Sequence, residues 1–367
     1  MKYLSGFRNG SLAKAIAGEI RREAARLGGR TVYIMEVCGT HTMAIGKSGV
    51  RKMIPANIRL LSGPGCPVCV TPGTYMDRAI RLSRMPETII ATFGDIMKVP
   101  GSVSTLEKEK SCGRKIEVVY SPLESLEIAG ENPEQNVIFL GLGFETTAPA
   151  VALTVKKAAE KKMKNFYVFS GHKLIPPAMD TLLRDKDVRI DGFICPGHVS
   201  AITGSAPYRF IPESYGIPCV IAGFEPADIL ESILMLVRNI AGREKPSVEI
   251  QYKRIVKEEG NKKAMEIIKE VFRKVDSEWR GLGIIKQSGL ALNSREYAKF
   301  DAEKRFPVVI RKSREKRGCI CGDILKGKKT PPECALFGKV CIPENPVGPC
   351  MVSSEGTCAA FYKYGER

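Results

Sequence analysis

The sequence predicts an α/β protein with two similar, duplicated domains built on Rossmann-like parallel sheets, followed by a third domain that is mainly helix and loop. Three observations predict this. Short apolar segments recur along the chain, and each is followed by a loop of small residues. Helical stretches such as 150–162 alternate with these segments, which is typical of parallel sheets. Four loops also recur in the same order about 105 residues apart, which indicates an internal duplication.

The apolar segments are short, rich in Val, Ile and Phe, and bounded by Gly, Pro or polar residues, as buried strands are. Eight of them are predicted strands: 31–37, 58–62, 88–93, 116–120, 136–142, 165–171, 191–197 and 219–224.

The recurring loops determine the predicted domain boundaries. They pair 38–42 with 143–147, 62–63 with 170–171, 94–102 with 197–205, and 122–124 with 226–228. We therefore predict an N-terminal helical segment at 1–29, a first α/β domain at 30–130, a second at 131–240, and the third domain at 241–367.

Two helices are predicted outside the duplicated region. The first has Ser11 as a possible N-cap and places Leu12, Ile16, Ile20 and Leu27 on one face, and we expect it to pack on the third domain. The second opens the third domain, with Ala264, Ile267, Ile268, Val271, Phe272 and Val275 on one apolar stripe.

The composition argues against a membrane-spanning, a secreted or a nucleic-acid-binding protein. The chain has 367 residues, of which 44% are hydrophobic and 26% charged, an ordinary globular balance. No apolar run is long enough to span a membrane, and residues 1–27 lack the apolar core of a signal peptide, so a cytoplasmic protein is expected. The net charge of +17 is scattered, which favours a solvated basic surface over nucleic-acid binding.

Twelve cysteines need an explanation other than structural disulfides in a reducing compartment. Zinc sites usually take their thiolates from two tight C-x2–4-C pairs, whereas iron–sulfur clusters accept irregular spacing. We therefore expect a cluster with a redox-active pair beside it, and a zinc-binding knot remains the alternative. The C-terminal set is Cys319, Cys321, Cys334, Cys341, Cys350 and Cys358.

A second group of reactive side chains follows the first two predicted strands. Cys38 and His41 come after one, and Cys66 and Cys69 come after the next. A C-x2-C pair is ambiguous between a redox dithiol and half of a metal site. Because ligands bind at the carboxyl edge of open parallel sheets, we expect these side chains to line a cleft between the two α/β domains.

The second α/β domain contributes Glu145 and His198 to the predicted cleft, and His172 also follows a strand. The Glu145 carboxylate could serve as a proton acceptor or as a scaffold for its loop. The remaining cysteines, Cys112, Cys195 and Cys219, are interpreted as small buried hydrophobic residues.

Five motifs together resemble the HypD family of hydrogenase maturation factors. They are CGTHT at 38–42, GPGCPVCVTP at 63–72, GFETTAP at 143–149, PGHVSAI at 196–202, and the cysteine pattern of the tail. The resemblance extends over nearly the whole chain. It implies a scaffold, formed with the small protein HypC, on which the iron of nickel–iron hydrogenase receives its cyanide and carbonyl ligands. HypE, charged by HypF, would deliver the cyanide, and the finished unit would pass to the hydrogenase large subunit.

The resemblance also implies residue roles. Cys38 would anchor the iron of the Fe(CN)2CO unit, Cys66 and Cys69 would form a redox dithiol, and His41, Glu145 and His198 would line the cleft. Electrons would pass from a [4Fe-4S] cluster through a Cys321–Cys350 pair to Cys66 and Cys69. The implied cluster ligands are Cys319, Cys334, Cys341 and Cys358.

Two other functions remain open at this point. One is a stand-alone thiol–disulfide oxidoreductase that uses its cluster, similar to ferredoxin–thioredoxin reductase. The other is a zinc-stabilised binding module without redox chemistry. We expect a monomer that forms complexes with its protein partners.

Overall fold

The computed structural model describes residues 10–242, 245–293, 296–310 and 317–365. All eight predicted strands are confirmed, and three further strands follow them. The strands are β1 (Val32–Glu36), β2 (Ile58–Ser62), β3 (Thr88–Thr92), β4 (Ile116–Val118), β5 (Asn136–Gly141), β6 (Phe166–Ser170), β7 (Gly192–Pro196), β8 (Cys219–Ala222), β9 (Val248–Ile250), β10 (Phe272–Trp279) and β11 (Gly283–Leu292).

Helices connect the strands and pack on the sheets. They are α1 (Gly10–Ala25), α2 (Gly39–Ser48), α3 (Val50–Met53), α4 (Pro67–Val70), α5 (Gly73–Ser83), α6 (Leu106–Ser111), α7 (Glu124–Glu131), α8 (Ala148–Glu160), α9 (Ile175–Arg184), α10 (Gly197–Thr203), α11 (Phe210–Tyr215), α12 (Pro226–Ile240), α13 (Lys262–Val271), α14 (Ala302–Arg305), α15 (Cys321–Leu325) and α16 (Thr357–Tyr364). Short 3-10 turns occupy Gly94–Ile96, Ala206–Tyr208, Ala298–Phe300, Pro331–Glu333 and Pro349–Met351.

Two parallel sheets form the centre of the molecule, as the sequence predicts. The first, sheet A, has the strand order β2-β1-β7-β8-β9. The second, sheet B, has the order β4-β3-β5-β6. The central strands of both are completely buried, because helices cover both faces of each sheet.

The predicted domain boundaries at 30–130 and 131–240 do not delimit the two sheets. Sheet A takes β1 and β2 from the first segment and β7 and β8 from the second, with β1 directly beside β7. Sheet B takes β3 and β4 from the first segment and β5 and β6 from the second. Parallel strands are joined by crossover connections, so neighbours in a sheet need not be neighbours in sequence.

The strand exchange agrees with the duplication that the loops indicate. Each strand of one repeat corresponds to the strand four places along the chain in the other repeat. If each strand in the order β2-β1-β7-β8 of sheet A is replaced by its counterpart, the order becomes β6-β5-β3-β4, which is sheet B read from its other edge. Each repeat therefore gives its first two strands to one sheet and its last two to the other. The two α/β units interlock instead of following one another along the chain.

The segment 241–367 contains helices and loops as predicted, but it also contains strands and packs on both sheets. Its first strand, β9, extends sheet A, and α13 ends at Val271, so Phe272 and Val275 lie in a strand. Strands β10 and β11 form a long antiparallel hairpin. Ile268 of α13 and Leu290 of the hairpin share a hydrophobic core with sheet B. Pairing with β11 determines where α13 ends.

Helix α1 packs on α12 beside sheet A, and not on the C-terminal segment as expected. Its inward face carries Ala13, Ala17, Ile20 and Ala24, whereas Leu12 is 41% exposed. Alanines let the two helices approach closely, which explains why they face inward. Within the described ranges, no helix has both the length and the apolar character to cross a membrane.

Candidate functional site

The carboxyl edge of sheet A collects most of the predicted site residues. Cys38 follows β1, Cys66 follows β2, and His198 lies in the first turn of the helix that follows β7. The strand exchange places all three on one sheet, although His198 had been assigned to a separate domain. Loops at the carboxyl ends of neighbouring parallel strands meet in this way.

Cys38 is buried at the start of α2, directly against the loop that precedes Cys66. The Gly39 N–H donates to the Gly65 carbonyl oxygen over 2.9 Å. A Cβ atom on Gly65 would lie 2.1 Å from the Cys38 backbone nitrogen, so only glycine permits this approach. The CGTH and GPGC motifs are therefore parts of one structure.

Burial raises the pKa of the Cys38 thiol to about 12. The N–H groups of His41 and Thr40 oppose this shift, and the Glu355 and Glu36 carboxylates add to it. Cys38 is accordingly a protonated thiol in the apoprotein. A bound cation would favour the thiolate, because a metal ion displaces the proton of its ligand.

Glu36 is a buried carboxyl group beside Cys38. It accepts hydrogen bonds from the Cys38 N–H over 3.1 Å and from the Thr42 hydroxyl. Burial raises the pKa of Glu36 to about 7 despite these hydrogen bonds. The group can therefore take up or release a proton near neutral pH.

Cys66 and Cys69 occupy the short helix α4. Cys66 is the N-cap, and its Sγ accepts the Cys69 N–H over 3.4 Å, with Pro67 at the first helical position. Both cysteines are buried, at 4% and 0% exposure. Burial raises the pKa of Cys69 well above the usual value of a thiol.

Two histidines stack on Phe224, which lies in the loop after β8. The ring centroid of Phe224 lies 4.6 Å from that of His41 and 4.0 Å from that of His198. The His41 Nε2–H donates to the Gly223 carbonyl oxygen over 3.0 Å, and Nδ1 is buried without a partner. Burial lowers the pKa of His41 to about 4, so the imidazole is neutral.

A polar network behind this stack fixes the loop that carries Phe224. Asp228, completely buried in the first turn of α12, accepts a bidentate pair from Arg254 and a hydrogen bond from Gln251. Gln251 in turn accepts the Gly223 N–H over 3.0 Å. The guanidinium of Arg254 lies over the Tyr252 ring, whose edge contacts Phe224.

Glu355 brings the C-terminal tail into this site. Its carboxylate accepts the Thr40 hydroxyl over 2.6 Å and acts electrostatically on Cys38 and His198. A Cβ atom on Gly39 would lie 2.6 Å from the Glu355 Cβ, so the two segments are in tight contact.

The six C-terminal cysteines line one small cavity together with apolar side chains such as Leu336 and Phe337. The Sγ atoms of Cys321 and Cys350 lie 2.7 Å apart at its inner side. Among the residues that the structure describes, no three Cys, His, Asp or Glu side chains are arranged around a single metal ion. The thiols around the cavity nevertheless match the donor type that an iron–sulfur cluster requires.

The C-terminal pair is in contact with the N-terminal pair. Helix α4 packs against the turn Pro349–Met351, which carries Cys350. Cys66, Cys69, Cys321 and Cys350 all lie in one buried core, and the Cys69 and Cys350 thiols each influence the pKa of the other. Two cysteine pairs about 250 residues apart in sequence therefore meet in the folded chain.

The turn of the β10–β11 hairpin holds this junction together. The Arg280 N–H donates to the Val70 carbonyl oxygen over 2.8 Å, and its Nε donates to that of Thr71 over 2.9 Å. On its other side, a Cβ atom on Gly281 would lie 2.4 Å from the Gly322 Cα. The turn is thus wedged between α4 and the helix that begins at Cys321.

Glu145 lies at the carboxyl edge of sheet B, and the cleft that it lines also includes Thr203 of α10, the helix that carries His198. The Glu145 Oε1 accepts the Ile175 N–H over 3.1 Å. His172 also lies at this edge, buried, with its pKa lowered to about 3 by burial. Cys195 and Cys219 are buried as predicted, but Cys112 is exposed, because it lies at the end of the surface helix α6.

Sequence reasoning missed four contributors to the site: Glu36, Phe224, Glu355 and the turn at 280–283. Two of these four contributors have a recognisable pattern in the sequence. Glu36 is a carboxyl group inside an otherwise apolar segment, two residues before Cys38. The Gly-Leu-Gly at 281–283 separates two segments of high β-propensity, which is a hairpin pattern. Phe224 and Glu355 have no comparable signal.

Comparison with known proteins matches this architecture to one family. The family model described as "Hydrogenase formation hypA family" (HypD) matches residues 11–365. The chain belongs to the HypD family. It is 47% identical over 374 residues to hydrogenase maturation factor HypD2 of Bradyrhizobium diazoefficiens, covering 100% of this chain and 97% of that protein.

Two further HypD proteins show the same full-length similarity. The HypD of Rhodobacter capsulatus is 47% identical over 373 residues, with 100% of this chain and 98% of the relative covered. That of Escherichia coli K12 is 42% identical over 372 residues, with 100% and 99% covered. Both are named hydrogenase maturation factors. The family resemblance of the five motifs is therefore confirmed.

Proposed function

We propose that this chain is a hydrogenase maturation factor that serves, together with HypC and HypE, as the scaffold for assembling the Fe(CN)2CO unit. The observation that carries this proposal is the packing of the Cys66–Cys69 helix α4 against the turn that carries Cys350. Cys66, Cys69, Cys321 and Cys350 lie in one buried core, which supports an exchange path between the two cysteine pairs. That path ends next to Cys38, since the loop before Cys66 is packed on the Cys38 backbone.

Cys38 would bind the iron of this unit, which is the substrate of the scaffold. The thiol must lose its proton as the iron binds, and the N–H groups of Thr40 and His41 would stabilise the negative charge that develops on Sγ. Glu36 is the buried carboxyl group nearest in sequence and can accept a proton near neutral pH. Soft thiolate ligands suit low-spin iron with cyanide and carbonyl ligands.

The cavity in the tail fits a [4Fe-4S] cluster by its donor set, with Cys319, Cys334, Cys341 and Cys358 as ligands. Such a cluster, when bound, would supply electrons to the adjacent cysteine pair. Cys321 and Cys350 would form the redox pair beside the cluster, and the 2.7 Å between their Sγ atoms supports this role.

Thiol–disulfide exchange would carry two electrons from the tail to the N-terminal pair. The Cys350 thiolate attacks Cys69 of a Cys66–Cys69 disulfide and forms a Cys69–Cys350 mixed disulfide, releasing the Cys66 thiolate. Cys321 then attacks Cys350, which leaves a Cys66/Cys69 dithiol and a Cys321–Cys350 disulfide. Bonds and electrons balance, because one disulfide is lost and one is gained.

The reduced Cys66/Cys69 dithiol would then drive the transfer of cyanide from the HypE carrier sulfur. Cleavage of an S–CN bond takes two electrons and yields a thiolate on HypE and cyanide for the iron. The dithiol supplies both electrons, releases two protons and becomes a disulfide. Each cyanide delivered consumes one dithiol.

The test is the double variant Cys66→Ala, Cys69→Ala, purified anaerobically with HypC. We expect the infrared bands of iron-bound cyanide to disappear, because no dithiol remains to reduce the carrier. Cys112→Ala is the matched control, since Cys112 is exposed and distant from the path in sequence. Cyanide bands of normal intensity in the double variant would refute the dithiol step.

The same cysteine arrangement would also support a stand-alone cluster-dependent thiol–disulfide oxidoreductase. The buried Cys38 next to Gly65 favours the scaffold, because the exchange path does not use Cys38. Loss of iron-bound diatomic ligands in Cys38→Ala, with disulfide reduction intact, is expected for the scaffold. An oxidoreductase would have no such ligands in the unmodified protein.

A further inference from the structure

The carboxyl edge of sheet B carries a cleft that the proposed function does not use. It has a volume of about 660 Å3, within the range of small-molecule sites. Its lining combines apolar side chains, such as Pro176, Pro177, Phe210 and Met265, with charged ones, namely Glu145, Asp180, Arg184 and Lys274. Glu145 is the one of these charged residues that is buried.

Glu145 is only half satisfied by the fold. Its Oε1 accepts the Ile175 N–H, which fixes the first turn of α9, but Oε2 is buried and has no hydrogen-bond partner in the part of the chain that the structure describes. The residue is 4% exposed, so water compensates little for the missing partner. Fixing α9 needs one acceptor atom, which glutamine would supply equally well. The second oxygen needs another explanation.

The charged groups around the cleft leave Glu145 without a neutralising partner. Asp180 accepts hydrogen bonds from Arg184 and from the Tyr215 hydroxyl, so these three groups satisfy one another. Lys274 acts on Glu145 only through a weak electrostatic effect and is itself exposed. Burial raises the pKa of Glu145 to about 7, the expected response of an unpaired buried carboxyl group.

The internal duplication relates the loop that carries Glu145 to the loop that carries Cys38. The loop 143–147 is the counterpart of the loop 38–42, and in this pairing Gly143 corresponds to Cys38 and Glu145 to Thr40. Sheet A therefore presents a thiol at the start of its loop, whereas sheet B presents a carboxyl group two residues further along.

We propose that this cleft binds a small organic cation, whose ammonium, guanidinium or amidinium group pairs with Glu145 while its apolar body lies against Pro176, Pro177 and Phe210. Such a ligand supplies the positive charge and the N–H donor that Oε2 lacks. Met265 and Lys274 are long, unbranched side chains that can move to admit it. The steps of the proposed function use none of these residues, so this inference goes beyond it.

Three isosteric probes test the proposal: benzamidine, benzamide and benzoate, which carry positive, zero and negative charge on one planar frame. We expect benzamidine to bind the full-length protein about tenfold more tightly than benzamide in calorimetric titrations, as a buried ion pair requires. Benzoate should bind most weakly. The overall charge of +17 favours the opposite order, so nonspecific attraction cannot imitate the result.

In Glu145→Gln, the affinities for benzamidine and benzamide should differ by no more than about twofold. The glutamine amide keeps the hydrogen bond from the Ile175 N–H but lacks the negative charge. Glu213→Gln is the matched control: Glu213 is exposed on α11, next to the lining residue Ser214, and should retain the preference. If Glu145→Gln does not fold, Phe210→Leu replaces it and should weaken benzamidine binding severalfold.

Several results would overturn the proposal. They are equal binding of benzamidine and benzoate, an unchanged preference in Glu145→Gln, unchanged benzamidine affinity in Phe210→Leu, and no benzamidine binding at millimolar concentration. None of them bears on the dithiol step, which is measured by infrared bands of iron-bound cyanide.

Discussion

At the scale of single residues, Gly65 controls the distance between the Cys38 site and the Cys66–Cys69 pair. A methyl group on Gly65 would collide with backbone atoms of Val37 and Cys38, which cannot move independently. We expect Gly65→Ala to lower the free energy of unfolding by about 2 kcal/mol or more. Chemical denaturation measures this loss, and alkylation of Cys66 should become faster as the loop shifts.

Gly18→Ala is the control for this change. Gly18 lies inside α1, where an added Cβ meets nothing within 4 Å. Alanine there should raise the free energy of unfolding by up to about 1 kcal/mol, because it improves helix propensity. Equal effects of the two substitutions would contradict the role assigned to Gly65.

The pair Arg84–Glu109 makes a pH-dependent contribution to stability. The Arg84 guanidinium, in a bidentate contact at 2.6 and 2.8 Å, lowers the pKa of Glu109 to about 2. The pKa of Glu109 is lower in the folded protein than its unfolded-state value near 4.5, so the pair stabilises the fold fully above pH 4.5. This stability is lost as the pH falls from 4.5 toward 2. Arg84 is 44% exposed, so solvent screening limits the gain to about 1 kcal/mol.

Glu109→Gln should therefore be less stable than the unmodified protein by about 1 kcal/mol at pH 7. Denaturation curves between pH 7 and pH 2 should show this difference shrinking below pH 4.5. Glu107→Gln, whose side chain is 58% exposed, should change stability by less than about 0.5 kcal/mol at every pH. A pH-independent effect of Glu109→Gln would exclude the ion pair as its cause.

At the scale of elements, the first turn of α12 orients the loop that carries Phe224. Asp228→Asn removes the charge that Arg254 and Gln251 share inside the protein. Asp228 is completely buried but the Arg254 side chain is 27% exposed, so solvent screens part of the charge and we expect a loss of about 2 kcal/mol in denaturation experiments. Asp187→Asn, which breaks an ion pair with Lys328 at an 83% exposed side chain, should cost less than about 1 kcal/mol. Similar losses of unfolding free energy in both variants would mean that the hydrogen bonds of Asp228 do not hold this loop in place.

At the scale of the whole molecule, the hairpin turn sets the distance between the two dithiol pairs. Gly281 and Gly283 both have positive φ, at 77° and 78°, but only Gly281 is in close contact, with Gly322. Alanine costs about 1 kcal/mol at either position through backbone strain. Only Gly281→Ala should also push the Cys321 helix away from α4.

A crosslinking assay separates these two effects. With Cys66 and Cys321 replaced by serine, mild oxidation should join Cys69 to Cys350, and peptide mass spectrometry measures the yield. Gly281→Ala should lower this yield severalfold, and Gly283→Ala should leave it nearly unchanged. Equal yields in the two variants would show that the turn does not control the junction.

The sequence predicted the strands well and their arrangement poorly. Each strand is a local pattern of apolar residues, so 88–92 and 192–196 were recognisable without knowledge of their neighbours. The pairing of strands depends on crossover connections between distant segments. No short sequence pattern indicates that β7 of the second repeat lies beside β1, or that β3 of the first repeat lies beside β5. The hairpin β10–β11 was missed because α13 precedes it without a break, and its apolar residues were assigned to a longer helix.

By itself, the sequence determined the chemistry of this protein: its α/β class, its cysteine groups and its family motifs, because each depends on residue type and short spacing. Only the tertiary structure decided which of these groups meet. It put Cys38, Cys66 and His198 on one sheet edge, packed the Cys66–Cys69 helix against the turn that carries Cys350, added Glu36, Phe224 and Glu355, and put Glu145 at the edge of the other sheet. The physical reason is that strand pairing and core packing act between segments far apart in the chain, where residue spacing carries no information.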